Sequence, residues 1–395
     1  MSPADRVPVS LIVDERLRTT SICLGVAYGS RHDSVNQGGL AHVLEHLLMS
    51  APAANGEPLV QFIERLGGSA NAETGLEHML FYAQVDAQDA DVVVESMLSG
   101  VLAPELDPVV LESERAAVIQ ELAAAAADPA DVVQDAFLAA LFPGHPLGRP
   151  VGGTVEEVRA LGLEAVGEGH RSAFSTSPMA LAVVGPSIPR GLSGRQAAPS
   201  GATRTRGPVP LGPVRVTTPA WPDEFGWVAV GGRSTRLGDP ARHRFTVLAN
   251  LFGGHASSLL YRKLRVEAGI AYSFESWDRG YTEAGAWRVL IGVDSGNGGQ
   301  AVDIVIRELE GLAATGPSDA DLDAARRQAR MSLILDTETP LEHARSLALH
   351  AVRSPEPWNL QSELDRIAAV EKRDIQQAAA EVLSDLITVV RPERP

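Results

Sequence analysis

The sequence predicts an α+β protein built from two copies of one unit, and three observations predict it. Strand-like and helix-like hydrophobic periodicities alternate along the chain. Both halves close alike, on a helical stretch and then a short aliphatic strand: Leu181-Ala182-Val183-Val184 in the first, Leu386-Ile387-Thr388-Val389-Val390 in the second. Between them, residues 186–213 are rich in proline, glycine and serine, the composition of an irregular linker. The expected organisation is a first domain over residues 1–185, a linker over 186–213 and a second domain over 214–395. A chain of 395 residues suits two domains of about 200 residues better than one.

The first half opens on a strand-like run from Val7 to Val13. Strands are expected at Ser21 to Tyr28, Met79 to Val85 and Met179 to Val184. Helices are expected at Gly38 to Met49, Pro58 to Leu66, Asp86 to Leu102 and Pro108 to Ala127. The last carries Val110, Leu111, Ala117, Val118 and Leu122 among charged residues, an amphipathic pattern. In the second half, strand signals lie near Val214, at Trp227 to Val230, Tyr272 to Trp277 and Ala286 to Val293. Helical signals cover Ala241 to Phe252, Gly299 to Ala314 and Ser318 to Leu335.

Composition narrows the function. A net charge of −16 argues against nucleic acid or an anionic membrane as partner. No apolar run reaches the roughly 18 residues of a membrane span. The first residues lack the basic start and apolar core of a signal peptide, so a cytoplasmic address is expected. The one cysteine, Cys23, lies in an apolar run and reads as a small buried hydrophobe.

The chemistry concentrates in His42-Val43-Leu44-Glu45-His46. Residues at i, i+3 and i+4 are neighbours on a helix surface, so both imidazoles can reach one metal ion with the Glu45 carboxylate beside them. The order His-x-x-Glu-His is the inverzincin signature. Two histidines hold zinc poorly, and a catalytic site normally has three protein ligands and one open position. Glu45 is needed as base, so the third ligand must come from elsewhere. The best candidates are in the long helix, where Glu114 and Glu121 are seven residues apart and share a face.

The motif, followed about 75 residues later by Glu114-Arg115-x-x-Val118-x-x-Glu121, resembles the pitrilysin family in its bacterial, mitochondrial-processing-peptidase-like branch. That resemblance implies two homologous α+β domains, each a mainly antiparallel sheet packed against helices. It implies one Zn2+ per chain held by His42, His46 and Glu121, with Glu45 as general base and Glu114 supporting the site. The segment Gly67-Gly68-Ser69-Ala70-Asn71-Ala72-Glu73-Thr74 resembles the family's G-G-x-x-N-A-x-T, which leads an edge strand that pairs with the substrate. Asn71 and Ala72 are then substrate contacts, and the peptide binds by β-augmentation. The segment Gly144-His145-Pro146-Leu147-Gly148-Arg149-Pro150 resembles a structural turn of the family, which makes His145 no ligand. His78 likewise reads as structural.

The second half has no HxxEH. Its stretch from Gly253 to Ser273 resembles the family's G-G-G-x-S-S-R-L-F…L-R-E-x-x-G-L-A-Y-S, whose Arg and Tyr fall on Arg265 and Tyr272. Those two are expected to bind substrate and stabilise the developing oxyanion. Two departures stand out: Ser257-Ser258-Leu259-Leu260-Tyr261 replaces S-S-R-L-F, and no helix pattern follows Gly185 where relatives carry one.

The expectation is a cytoplasmic zinc endopeptidase acting on peptides or unfolded segments. Its chamber is expected to be a homodimer in which Arg265 and Tyr272 serve the partner's zinc. Leader-peptide removal is a narrower version. The alternatives are a zinc-bearing subunit of a heterodimer that is inactive alone, and a non-catalytic scaffold subunit.

Overall fold

The computed structural model describes residues 7–52, 56–192, 209–214, 225–294, 296–354 and 356–392. The first half contains β1 (Val9–Val13), β2 (Thr19–Val26), α1 (Leu40–Ser50), α2 (Leu59–Arg65), β3 (Ser69–Thr74), β4 (Met79–Asp86), α3 (Ala90–Leu102), α4 (Pro108–Ala127), α5 (Pro129–Leu141), α6 (Val155–Ala160), α7 (Leu163–Thr176) and β5 (Met179–Gly185). The second contains β6 (Gly226–Ser234), α8 (Arg242–Phe252), β7 (Ser273–Gly280), β8 (Gly285–Val293), α9 (Gly298–Thr315), α10 (Asp319–Leu335), α11 (Pro340–Arg353), α12 (Leu360–Ala368), α13 (Lys372–Ser384) and β9 (Ile387–Arg391). Among the described residues, 209–214 carry no strand, and 215–224 and most of the expected linker lie outside them.

The fold is the expected α+β one, with antiparallel-rich sheets against helices. One sheet runs β1-β5-β2-β4-β3, and only β1 with β5 is parallel. The other runs β7-β8-β6-β9 and is antiparallel throughout. No described helix is long and apolar enough to cross a membrane.

Each sheet forms its own compact unit, but the units do not follow the sequential halves. The first consists of Met1–Ala123, Pro150–Gly207 and Leu335–Trp358, the second of Ala124–Arg149, Pro208–Ile334 and Asn359–Pro395. Helix α11, late in the chain, therefore belongs with the first sheet, and α5, early in the chain, with the second.

The reason is that both faces of each sheet are apolar. In the first unit, Ile22, Leu24 and Val26 of β2 join Phe81 and Leu181 against Val43, Leu44 and Leu47 of α1 and Val93 and Met97 of α3. The alternate positions, Cys23, Leu80, Ala182 and Val184, face Ala344 and Ala348 of α11. A strand covered on both sides reads as a continuous apolar run, as Ile22 to Val26 of β2 do. Gly25 lets α11 approach closely, since a Cβ there would lie 3.1 Å from the Ala348 carbonyl oxygen. In the second unit, Trp287, Val289 and Ile291 of β8 pack into the main core, while α5 lies against β6 and β9.

Candidate metal centre

Helix α1 carries its chemistry because its other face is held. Leu40, Ala41, Val43, Leu44, Leu47 and Leu48 are buried, which leaves His42, Glu45 and His46 together on the side away from the core. Its start is fixed by Gly39, in the left-handed region at φ 85°, and by the buried Asp33 carboxylate. One Asp33 oxygen accepts from the Ala41 N–H at 3.1 Å, one of the orphan donors of a helix terminus. Helix α4 is seated by Leu111 and Val118, seven residues apart. Glu114 and Glu121, with the same separation, face α1.

Three ligand atoms converge there. One oxygen or nitrogen from each of His42, His46 and Glu121 lies within 4.8 Å of the others. The Nε2 atoms of His42 and His46 both stand 3.4 Å from Glu121 Oε2, and the two rings meet edge to face. Ligand atoms about 2.05 Å from one ion, at tetrahedral angles, lie about 3.35 Å apart. Two imidazoles and one carboxylate are also a donor set of catalytic zinc. The residues present fit the metal.

The surrounding groups fix the protonation states. Glu114 Oε2 lies 3.2 Å from His46 Nδ1. A carboxylate only accepts, so Nδ1 donates to Glu114, and Nε2 is the nitrogen turned to Glu121, where a metal would take its lone pair. His42 Nδ1 is buried and has no hydrogen-bond partner among the described residues. Burial, and then repulsion from His46, lower the His42 pKa and favour its neutral, ligating form. Glu45 is part-buried beside them. Burial raises its pKa most; Thr74 and His46 pull it down, and Glu121 and Glu73 push it up again. A carboxylate with a raised pKa is a stronger proton acceptor than an exposed one.

The other expected residues lie in two places. Asn71 and Ala72 are on β3, an edge strand of the first sheet that packs beside α1. The Ala72 N–H donates to Asn71 Oδ1 at 2.8 Å, so it is turned off the β4 ladder toward the open edge. Arg265 and Tyr272 belong to the second unit, apart from the ligand cluster in sequence and in unit. Arg265 lies on a π-helical turn, Tyr261–Glu267, with its guanidinium 5.5 Å from the Tyr272 ring centre and 5.1 Å from that of Tyr261. Tyr272, just ahead of β7, is 80% exposed.

Sequence reasoning missed Thr74 and Asp33. Thr74 had a signal, since it closes the N-A-x-T segment. Asp33 had none, because it sits eight residues from the amide that it holds. His145 is buried, accepts the Leu147 N–H and is no part of the cluster.

Comparison with known proteins gives the same direction. Residues 9–155 match the family model described as Insulinase (Peptidase family M16), and residues 170–329 match that of the Peptidase M16 inactive domain. An uncharacterized zinc protease of Mycobacterium leprae is 31% identical, over 83% of this chain and 77% of the relative. The mitochondrial-processing peptidase subunit beta of Blastocladiella emersonii is 26% identical, over 96% of this chain and 86% of its own. A crystal structure of a protease from Helicobacter pylori shares the fold with a TM-score of 0.83, at 18% identity over 98% of this chain and 97% of that one. With the metal-type cluster on α1 and α4 and matches across both halves, the chain belongs to peptidase family M16, the insulinase- and pitrilysin-like family.

Proposed function

We propose that this protein is a zinc-dependent endopeptidase that hydrolyses peptides or unfolded segments bound as an added strand along β3. The observation that carries the reading is the convergence of His42, His46 and Glu121. These three residues would hold the metal. When bound, zinc supplies Lewis-acid polarisation of a carbonyl and lowers the pKa of a water to about 7.

The rest is done by side chains of the chain itself. Glu114 keeps His46 in the tautomer that presents Nε2. Glu45 takes a proton from the attacking water and returns it to the leaving amine. The open edge of β3, with Asn71 and Ala72 at its centre, holds an extended peptide through backbone hydrogen bonds, which demand little of the peptide's sequence. Arg265 and Tyr272 act as donors toward the developing oxyanion, with a homodimer as the assembly in which one protomer's pair serves its partner's site. Removal of leader peptides is the narrower form of this function.

The test is zinc analysis together with mass-spectrometric profiling of a peptide library. One zinc per chain is expected, lost in His46→Ala; Glu45→Gln keeps the metal and loses turnover. Cleavage by thoroughly chelated wild-type protein overturns the proposal. Zinc-loaded chain that cuts only after a second protein is added makes it one subunit of a heterodimer. Zinc-loaded chain inert in every setting leaves a scaffold.

A further inference from the structure

Helix α11 does more than cover the second face of its sheet. Two of its arginines, Arg345 and Arg353, are eight residues apart, about 80° round the helix from one another, and both turn to the β3–β4 hairpin. Arg345 forms ion pairs with Glu73, on β3, and with Glu342 one turn before it. Its guanidinium lies 4.5 Å from the centre of the Tyr82 ring, on β4, the strand that pairs with β3. Arg353 reaches the turn of the same hairpin, with Nη2 2.8 Å from His78 Nδ1.

These contacts form one directed chain. An arginine can only donate, so His78 Nδ1 accepts and the proton sits on Nε2. That Nε2 lies 3.5 Å from Glu73 Oε1, with its N–H toward the carboxylate. Glu73 is thus held from both sides, by His78 on one oxygen and Arg345 on the other. The His78 imidazole first, and Arg345 after it, lower the pKa of its carboxyl against the cost of burial. The turn between the strands is tight against His78, since a Cβ on Gly75 would meet the His78 ring at 2.5 Å.

An edge strand has neighbours on one side only, and its free side frays easily. Here Glu73 immediately follows Asn71 and Ala72 and precedes Thr74, the neighbour of Glu45. We propose that Arg345, with Arg353 behind it, is a positioning residue that clamps β3 from α11 so that the strand is ready to receive the peptide. This rests on the peptidase reading, because β3 matters to turnover only if the substrate pairs with it. The clamp also makes a segment from the second half of the chain a condition for substrate binding in the first.

The experiment compares full-length wild type with Arg345→Met, Arg345→Lys, Glu73→Gln and the Arg345→Met/Glu73→Gln double variant. Hydrogen exchange of the segment 69–78, zinc content, and KM and kcat on a library peptide are read for each. Arg345→Met is expected to speed exchange in 69–78 about tenfold, as loss of a coupled contact does. KM is expected to rise more than kcat falls, with zinc content unchanged. Arg345→Lys recovers part of the protection, since an ammonium keeps the charge without the forked geometry. The double variant is no looser than either single one.

Exchange in 69–78 within about twofold of wild type in Arg345→Met, with α11 still protected, overturns the inference. If Arg345→Met loosens α11 as well, Glu73→Gln decides, because it leaves the helix untouched; unchanged β3 exchange there is equally fatal. Zinc-loaded wild type that cuts no peptide overturns the peptidase reading instead, and the exchange comparison still judges the clamp.

Discussion

Replacing Glu114 tests whether the proposed metal centre extends beyond its three candidate ligands. The carboxylate lies 3.2 Å from His46 Nδ1, and the two side chains are only 20% and 17% exposed. An exposed ion pair in that geometry would contribute roughly 0–1 kcal/mol. This pair is about four-fifths buried, so its charge is poorly screened and would strengthen the hold of His46 Nε2 on a metal. Glu114→Gln keeps an oxygen that can accept the Nδ1 proton, so the tautomer survives and only the charge is lost. Zinc affinity is then expected to fall about tenfold, near 1.4 kcal/mol. Glu114→Ala also leaves the Nδ1–H without its acceptor, and a loss approaching a hundredfold is expected. Glu121→Ala removes a ligand and should cost more than either. The assay is competition for zinc between the metal-free chain and a chromophoric chelator near neutral pH. Glu114→Ala within about twofold of wild type would show an ordinary surface carboxylate and refute the argument. A loss equal to that of Glu121→Ala would make Glu114 a ligand, and refute it in the opposite direction.

Three further outcomes are expected. The Asp278 side chain is buried in the second unit and accepts from Ser234 Oγ, and burial pushes its pKa up to about 6 against the pull of Arg242. The folded state therefore holds that proton more tightly than the unfolded one. Stability should fall as pH rises from about 4 to 6, by roughly 3 kcal/mol, and stay level above. Asp278→Asn should flatten this window in urea titrations of the metal-free chain; an unchanged slope would count against it. Gly25→Val drives a side chain into the Ala348 backbone and should cost about 1–3 kcal/mol, read as a lowered urea midpoint at constant m. A fragment ending at residue 213 lacks α11, which leaves Leu80, Ala182 and Val184 uncovered. It should show no cooperative thermal transition, and a sharp one would mean that the first sheet folds without the helix from the second half.

Much of the fold was legible because it is local. The ends of α4 and α8, and the strands β2, β4, β5 and β8, follow from hydrophobic period and turn residues that act within a few positions. The amphipathic pattern of α4 was readable too, although only Leu111 and Val118 of its apolar positions are fully buried. The domain division was not legible. Ala344 and Ala348 mark a helix face, as Val133 and Phe137 do on α5, but a face carries no address. Sequential halves were the natural expectation, and the packing of two-sided sheets replaced it with units that exchange a helix.

The same distinction runs through the site. By itself the sequence determined that His42, Glu45 and His46 share one face of one helix, and that Glu114 and Glu121 share a face of another. Helical spacing is a short-range geometric fact, independent of what surrounds the helix. Only the tertiary structure decided that Glu121 stands between the two Nε2 atoms while Glu114 takes His46 Nδ1. It also decided that Glu73 answers to Arg345, 272 residues away. Such pairings depend on which buried faces meet, and periodicity records that a residue turns inward without recording what it will touch.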